Sequence, residues 1–177
     1  MNLKAFFTVR RLTYAALLVA LDIVFTRVFS FMFPGSIDRL SLQFLAHAAE
    51  GMLLGPVGAA LAAVAGDLIG TLINSGGMSF YLPLTVSALM RGVLYGLFLY
   101  KKPASFVRVL LACAAVTLIV DLGWNPIFLA KLYGQPYGAV FLAKLPVRLV
   151  WIPVSSVVLY FVTKALFRAV PAFRDGL

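Results

Sequence analysis

At 177 residues the chain has room for one domain, yet 63% hydrophobic residues and a mean hydropathy of +1.02 exceed what a soluble domain of that size can hide. The net charge of +9 is spread over separate helix edges, which suits anchoring at an anionic leaflet and argues against a nucleic-acid partner. No Gly-rich Lys loop for phosphates occurs, so an ATP motor would lie on another chain, and the single Cys113 excludes an intrachain disulfide or multi-Cys metal site.

Hydropathy divides the chain into about six spans. The first covers residues 11–33 and ends at Pro34-Gly35; Asp22 and Arg27 interrupt it, and it is too long for a cleaved signal peptide. Its Ala16-Leu17-Leu18-Val19-Ala20 step permits close helix approach. The second, residues 40–54, is short and stops at Gly55-Pro56. It carries His47 and Glu50 three positions apart, hence on one helical face. With no other histidine in the chain they lack the partners of a metal site, and a hydrogen-bonded pair lining the lower cavity is expected. The third span runs to residue 72, before the loop Asn74-Ser75-Gly76-Gly77, and the fourth covers residues 82–100, stopped by Lys101-Lys102-Pro103. The fifth runs from residue 105 to Trp124-Asn125-Pro126. After the loop at residues 132–136 the sixth covers 140–167, where Pro146 and Pro153 should bend or start the helix. Nothing reads as strand.

Small-xxx-small pairs at Gly51/Gly55, Gly66/Gly70 and Gly92/Gly96 favour tight helix packing. Asp67 and Arg91 fall near the middle of their spans, where an uncompensated charge is costly, so a mutual ion pair is expected. Lys4, Arg10, Arg11, Lys101, Lys102, Arg108, Lys164, Arg168 and Arg174 gather on one side of a six-span arrangement, which predicts that both termini are cytoplasmic. Toward the opposite side lie Arg27, Arg39, Phe80, Tyr81, Asp121, Trp124, Asn125 and Arg148. Arginine forks suit carboxylates and aromatic faces stack on flat rings, so this set suits a planar, anionic small molecule arriving from outside. The same residue types also serve as interface anchors. No converging acid/base, nucleophilic or metal-binding set stands out, so neither catalysis nor a cofactor is expected.

An ordered series of motifs resembles the substrate-binding S components of energy-coupling factor (ECF) vitamin transporters, in the folate-type group. It comprises Arg11-Leu12-Thr13, Phe25-Thr26-Arg27-Val28-Phe29-Ser30, Arg39-Leu40-Ser41-Leu42-Gln43-Phe44-Leu45, Gly51-Met52-Leu53-Leu54-Gly55-Pro56, Gly66-Asp67-Leu68-Ile69-Gly70, the run from Thr85 to Gly96, Trp124, and Arg148. The resemblance implies an all-α, single-domain bundle of six membrane helices in the bacterial cell membrane that binds a vitamin, most simply folate. It also implies a transmembrane coupling subunit and two cytoplasmic ATPases as partners, with Ala16 and Ala20 at the coupling contact. Several positions depart from the folate-type pattern: Leu82-Pro83 after the aromatic pair, Asp121-Leu122 before Trp124, Trp151 three positions after Arg148, and His47 and Glu50 in the second span. An added acid near the pocket would favour a cargo with an amino group, so another ring-containing vitamin or nucleoside-like precursor is the alternative. A membrane-embedded enzyme or a stand-alone secondary transporter has less support, since no catalytic set and no pair of matching repeats is evident.

Overall fold

The structure, a computed structural model, describes residues 9–32, 39–73, 80–103 and 105–170. Helix α1 (Val9–Arg27) leads into a short antiparallel ladder, β1 (Ser30–Met32) with β2 (Arg39–Ser41), in which Ser30 pairs with Ser41 and Met32 with Arg39. Helices α2 (Gln43–Ile73), α3 (Leu82–Leu99), α4 (Phe106–Ala115), α5 (Asn125–Tyr133) and α6 (Tyr137–Ala169) follow, with a π-helical stretch Val116–Trp124 joining α4 to α5. Among the described residues, four helical stretches are long and apolar enough to cross a membrane: α2, α3, the continuous rod Phe106–Tyr133, and α6. Helix α1 has Arg10, Arg11, Asp22 and Arg27 within its 19 residues and is not among them.

The chain is all-α as expected, and the two short strands are an addition that the sequence reading did not foresee. Three-residue strands are too short to display alternation in the sequence, and it is backbone pairing that defines them.

Burial is arranged as a bilayer demands. Large apolar side chains such as Leu17, Leu61, Leu72, Leu142 and Phe161 are exposed, while Ala46, Ala48, Ala59, Ala63 and Ala112 are buried. Lipid covers the former, and small residues let helices approach where no hydrophobic drive between helices operates. Helices α2 and α3 meet most intimately. A Cβ on Gly92 would lie 2.6 Å from the Ala59 carbonyl oxygen, and one on Gly96 would collide with the backbone of Pro56. The Gly66/Gly70 pair serves a different helix: Gly66 faces the Asp22 carboxylate, and Gly70 faces the Arg27 guanidinium. Thus α2 offers α1 a groove that admits two charged side chains.

At Gly55 the α2 backbone leaves helical geometry with φ +76°, ψ 179°, a conformation open to glycine and closed to most residues, and Pro56 begins the next turn without a donor to lose. The expected break at Gly55-Pro56 is therefore present as a kink. The expected stop at Asn125-Pro126 is not: the chain continues helically to Tyr133. Wider π-helical bonding precedes Pro126, and the Asn125 amide donates to the Val120 carbonyl. Pro126 then occupies the first turn of α5, where its missing N–H costs little. Gly134, left-handed at φ 63°, ends α5. Helix α6 begins at Tyr137 and runs through both Pro146 and Pro153, so neither proline starts it. The loop expected at residues 74–77 and the Pro34-Gly35 stop lie outside the described residues.

Candidate functional site

A cavity of about 210 Å³ opens between α1, α2, α3, the π-helical stretch and α6. Helical spacing builds it. Helix α6 contributes Lys144, Arg148, Trp151 and Ser155, at steps of four, three and four residues on one face. Helix α3 contributes Thr85, Ala88, Arg91 and Tyr95 by the same geometry. The π-helical stretch and the residue after it add Thr117, Asp121 and Asn125, and a π-helical insertion is a frequent way of aiming side chains into a site.

Asp121 stands at the centre. It is 4% exposed and accepts from Arg91 Nη2 at 2.7 Å and from Arg148 Nη1 at 2.9 Å, tying α3 and α6 to the π-helical stretch. Asn125 Nδ2 donates to the same carboxylate at 3.3 Å, and Ser87 Oγ donates to Asn125 Oδ1 at 2.5 Å. Arg91 also donates to Gln43 Oε1 at 3.3 Å. These charge-assisted bonds fix the guanidinium planes before any ligand arrives. Asp67 takes another partner: its Oδ2 accepts from Thr85 Oγ1 at 2.7 Å. Arg27 Nη2 donates to Thr71 Oγ1 at 2.8 Å, and that hydroxyl donates to the Asp67 carbonyl at 2.7 Å.

The expected Asp67–Arg91 ion pair is thus corrected. Both side chains line the cavity, but the guanidinium reaches the carboxylate of Asp121, which the helical register places opposite it. Of the residues expected at a binding site, Arg27, Phe80, Tyr81, Asp121, Asn125 and Arg148 line this one cavity. Trp124 does not. Its indole Nε1 donates to the Pro83 carbonyl at 3.0 Å and its ring packs on Phe128 at 4.6 Å, so it pins the first turn of α3. The side chain of Arg39 lies outside the described residues, though its backbone pairs in β2. Ala16 and Ala20 are exposed on α1 and are not packed within the bundle. His47 and Glu50 are buried on α2 but do not line the cavity, contrary to expectation.

Sequence reasoning missed Lys144 and Trp151 as cavity residues, and Arg91 and Asp67 as more than a structural pair. The spacing of Lys144, Arg148, Trp151 and Ser155 was the available signal. Trp151 also meets Phe44 edge-on at 5.9 Å, giving the cavity an aromatic wall. Four basic side chains (Arg27, Arg91, Lys144, Arg148) face two acidic ones (Asp67, Asp121), so the lining carries an excess of two positive charges. A lining of this kind can hold an anion and a flat ring.

Comparison with known proteins identifies the family. Residues 6–168 match the family model described as "ECF-type riboflavin transporter, S component". The folate transporter FolT of Clostridium novyi is 34% identical over 155 residues, covering 88% of each chain. FolT of Streptococcus mutans is 28% identical over 171 residues, covering 93% of this chain and 90% of that one. A crystal structure of FolT bound with folic acid superposes with a TM-score of 0.79 at 26% identity, covering 87% of this chain and 91% of that one. The chain belongs to the S components of ECF-type transporters, in the group of the folate transporters, and is a multi-pass membrane transport subunit rather than an enzyme.

Proposed function

We propose that the chain is the folate-binding S component of a bacterial ECF transporter, a single integral domain in the plasma membrane. The observation that carries this reading is the cavity's excess of two positive charges beside an aromatic wall. Folate pairs a flat pterin with a glutamate tail bearing two carboxylates. Arg91, Arg148 and Lys144 supply donors for the carboxylates, and Phe44, Tyr81 and Trp151 supply faces for the rings. Asp121 holds both guanidinia in place while the cavity is empty, and a cargo carboxylate competes with it for the same donors.

The membrane arrangement extends the reading. His47 on the first half of α2 and Gly66 on its second half both face Asp22, which supports a chain reversal at Gly55 and hence six helices in all. With Lys101 and Lys102 on one side and the cavity toward the other, both termini are cytoplasmic. Ala16 and Ala20, exposed on α1, offer a small-residue face to a transmembrane coupling subunit, which two cytoplasmic ATPases would drive.

The description of the matching family favours riboflavin as a second reading. Riboflavin has no carboxylate, so it would leave the excess positive charge of the lining unmatched. Mass spectrometry of the small molecule that copurifies tests both readings. A folate is expected; riboflavin would favour the second, and a cargo with neither ring system would overturn both.

A further inference from the structure

Away from the cavity, the connection from α3 to α4 gathers positive charge at one edge of the membrane-spanning region, where α3 ends and the rod Phe106–Tyr133 begins. Lys101 and Lys102 are exposed there, and Arg108 lies in the first turn of α4. None of the three forms an ion pair with a described carboxylate. Lys101 Nζ stands 5.2 Å from the centre of the Tyr100 ring, and Lys102 Nζ donates to the Leu97 carbonyl at 2.7 Å. Arg108 Nη1 is buried without a hydrogen-bond partner among the described residues.

The backbone adds to that charge. Helix α4 starts after Ser105, whose side chain makes no capping bond, and its first turn holds no acidic residue. The N–H groups of that turn are left to an outside acceptor, at the positive end of the helix dipole. Beside these donors the same two helices expose apolar side chains: Leu97 of α3 is 54% exposed, and Val107 and Leu111 of α4 are 61% and 51% exposed. Leu111 lies three residues after Arg108, hence on the same face of α4. Donors for an anion at the boundary and apolar surface just inside it match the two ends of one molecule, a glycerophospholipid with an anionic headgroup. A free phosphate ion would leave the apolar surface unused.

We propose that the α3–α4 turn binds an anionic glycerophospholipid, with its phosphate on Lys101, Lys102 and Arg108 and an acyl chain along Leu97, Val107 and Leu111. The phosphate supplies the acceptor that the buried Arg108 nitrogen lacks, and it meets the open N–H groups of α4. In the membrane arrangement proposed above, on which the choice of leaflet rests, this edge is cytoplasmic, and the cytoplasmic leaflet is the anionic one. None of these side chains lines the cavity, so the lipid fastens α3 to the rod Phe106–Tyr133 without touching the cargo.

Native mass spectrometry tests the site on cargo-free protein in detergent, whichever vitamin is carried and whichever way the bundle faces in the cell. The chain should bind one phosphatidylglycerol at least about tenfold more tightly than phosphatidylcholine, given the attraction of three cations for the headgroup. Arg108→Gln should remove most of that preference. So should Lys101→Gln combined with Lys102→Gln, which alters only exposed side chains and keeps the test intact if Arg108→Gln fails to fold. Lys131→Gln, which removes an exposed cation on α5, should keep the preference, and inorganic phosphate in large excess should not displace the lipid. Equal binding of the two lipids by the wild-type chain overturns the proposal, as does a preference that survives both the Arg108 and the Lys101/Lys102 substitutions. An equal loss in Lys131→Gln would show general charge attraction in place of a site, and displacement by inorganic phosphate would show a site for the free ion; either result overturns it too.

Discussion

At the scale of single residues, the charges inside the bundle are matched by geometry more than by proximity in sequence. Arg91 has two acids on neighbouring elements to choose from and bonds to Asp121, while Asp67 is satisfied by the Thr85 hydroxyl. Asp121→Asn should therefore cost roughly 3–5 kcal/mol, the usual penalty for leaving buried guanidinia without their carboxylate. A double-mutant cycle in thermal unfolding should find strong coupling between Arg91 and Asp121 and coupling near zero between Arg91 and Asp67. The opposite ranking would restore the pair expected from the sequence. That expectation failed because depth in a span gives the height of a side chain and not the direction in which it points. Arg27, Asp121, Asn125 and Arg148 were legible because charged and amide side chains inside apolar runs need polar company. Trp124 was misassigned because a tryptophan near a helix end looks the same whether it faces a ligand or caps a neighbouring turn.

At the scale of elements, the glycine pairs were legible and their partners were not. Spacing alone marked Gly92/Gly96 and Gly66/Gly70 as close-approach faces, but only the packing shows that one meets α3 against α2 and the other admits the charges of α1. Gly96→Ala and Gly92→Ala should sharply reduce the yield of folded protein, because Cβ atoms there meet backbone that cannot yield. Gly138→Ala, with nothing within 4 Å, should leave yield and melting temperature near wild type. Yields near wild type at all three positions would show that close packing does not govern Gly92 and Gly96, since alanine is otherwise the better helix former. The helix stop at Asn125-Pro126 was overcalled because proline ends a helix only when its missing donor is needed, and a π-helical turn removes that need. The strands were missed because three residues hold too little pattern to read.

At the scale of the whole molecule, composition was the clearest signal, since excess apolar surface with buried small residues admits few solutions outside a bilayer. Orientation is a matter of charge asymmetry and can be checked by labelling in a Cys113→Ser background. A cysteine at Gln135 should react with an impermeant thiol reagent in intact cells, and one at Lys102 should be protected; the reverse pattern would invert the bundle. The basic and aromatic character of the cavity was partly legible, while the pocket's shape depended on which helix faces meet, a property of the fold as a whole. Calorimetric titration of the purified protein in detergent with folate, and separately with riboflavin, tests the central claim most directly. Folate should bind saturably at one site, with affinity at least about tenfold weaker in Arg148→Ala, since one charge-assisted hydrogen bond contributes about 1.5–3 kcal/mol. Saturable binding of riboflavin with none of folate, or folate affinity unchanged in Arg148→Ala, would contradict the account.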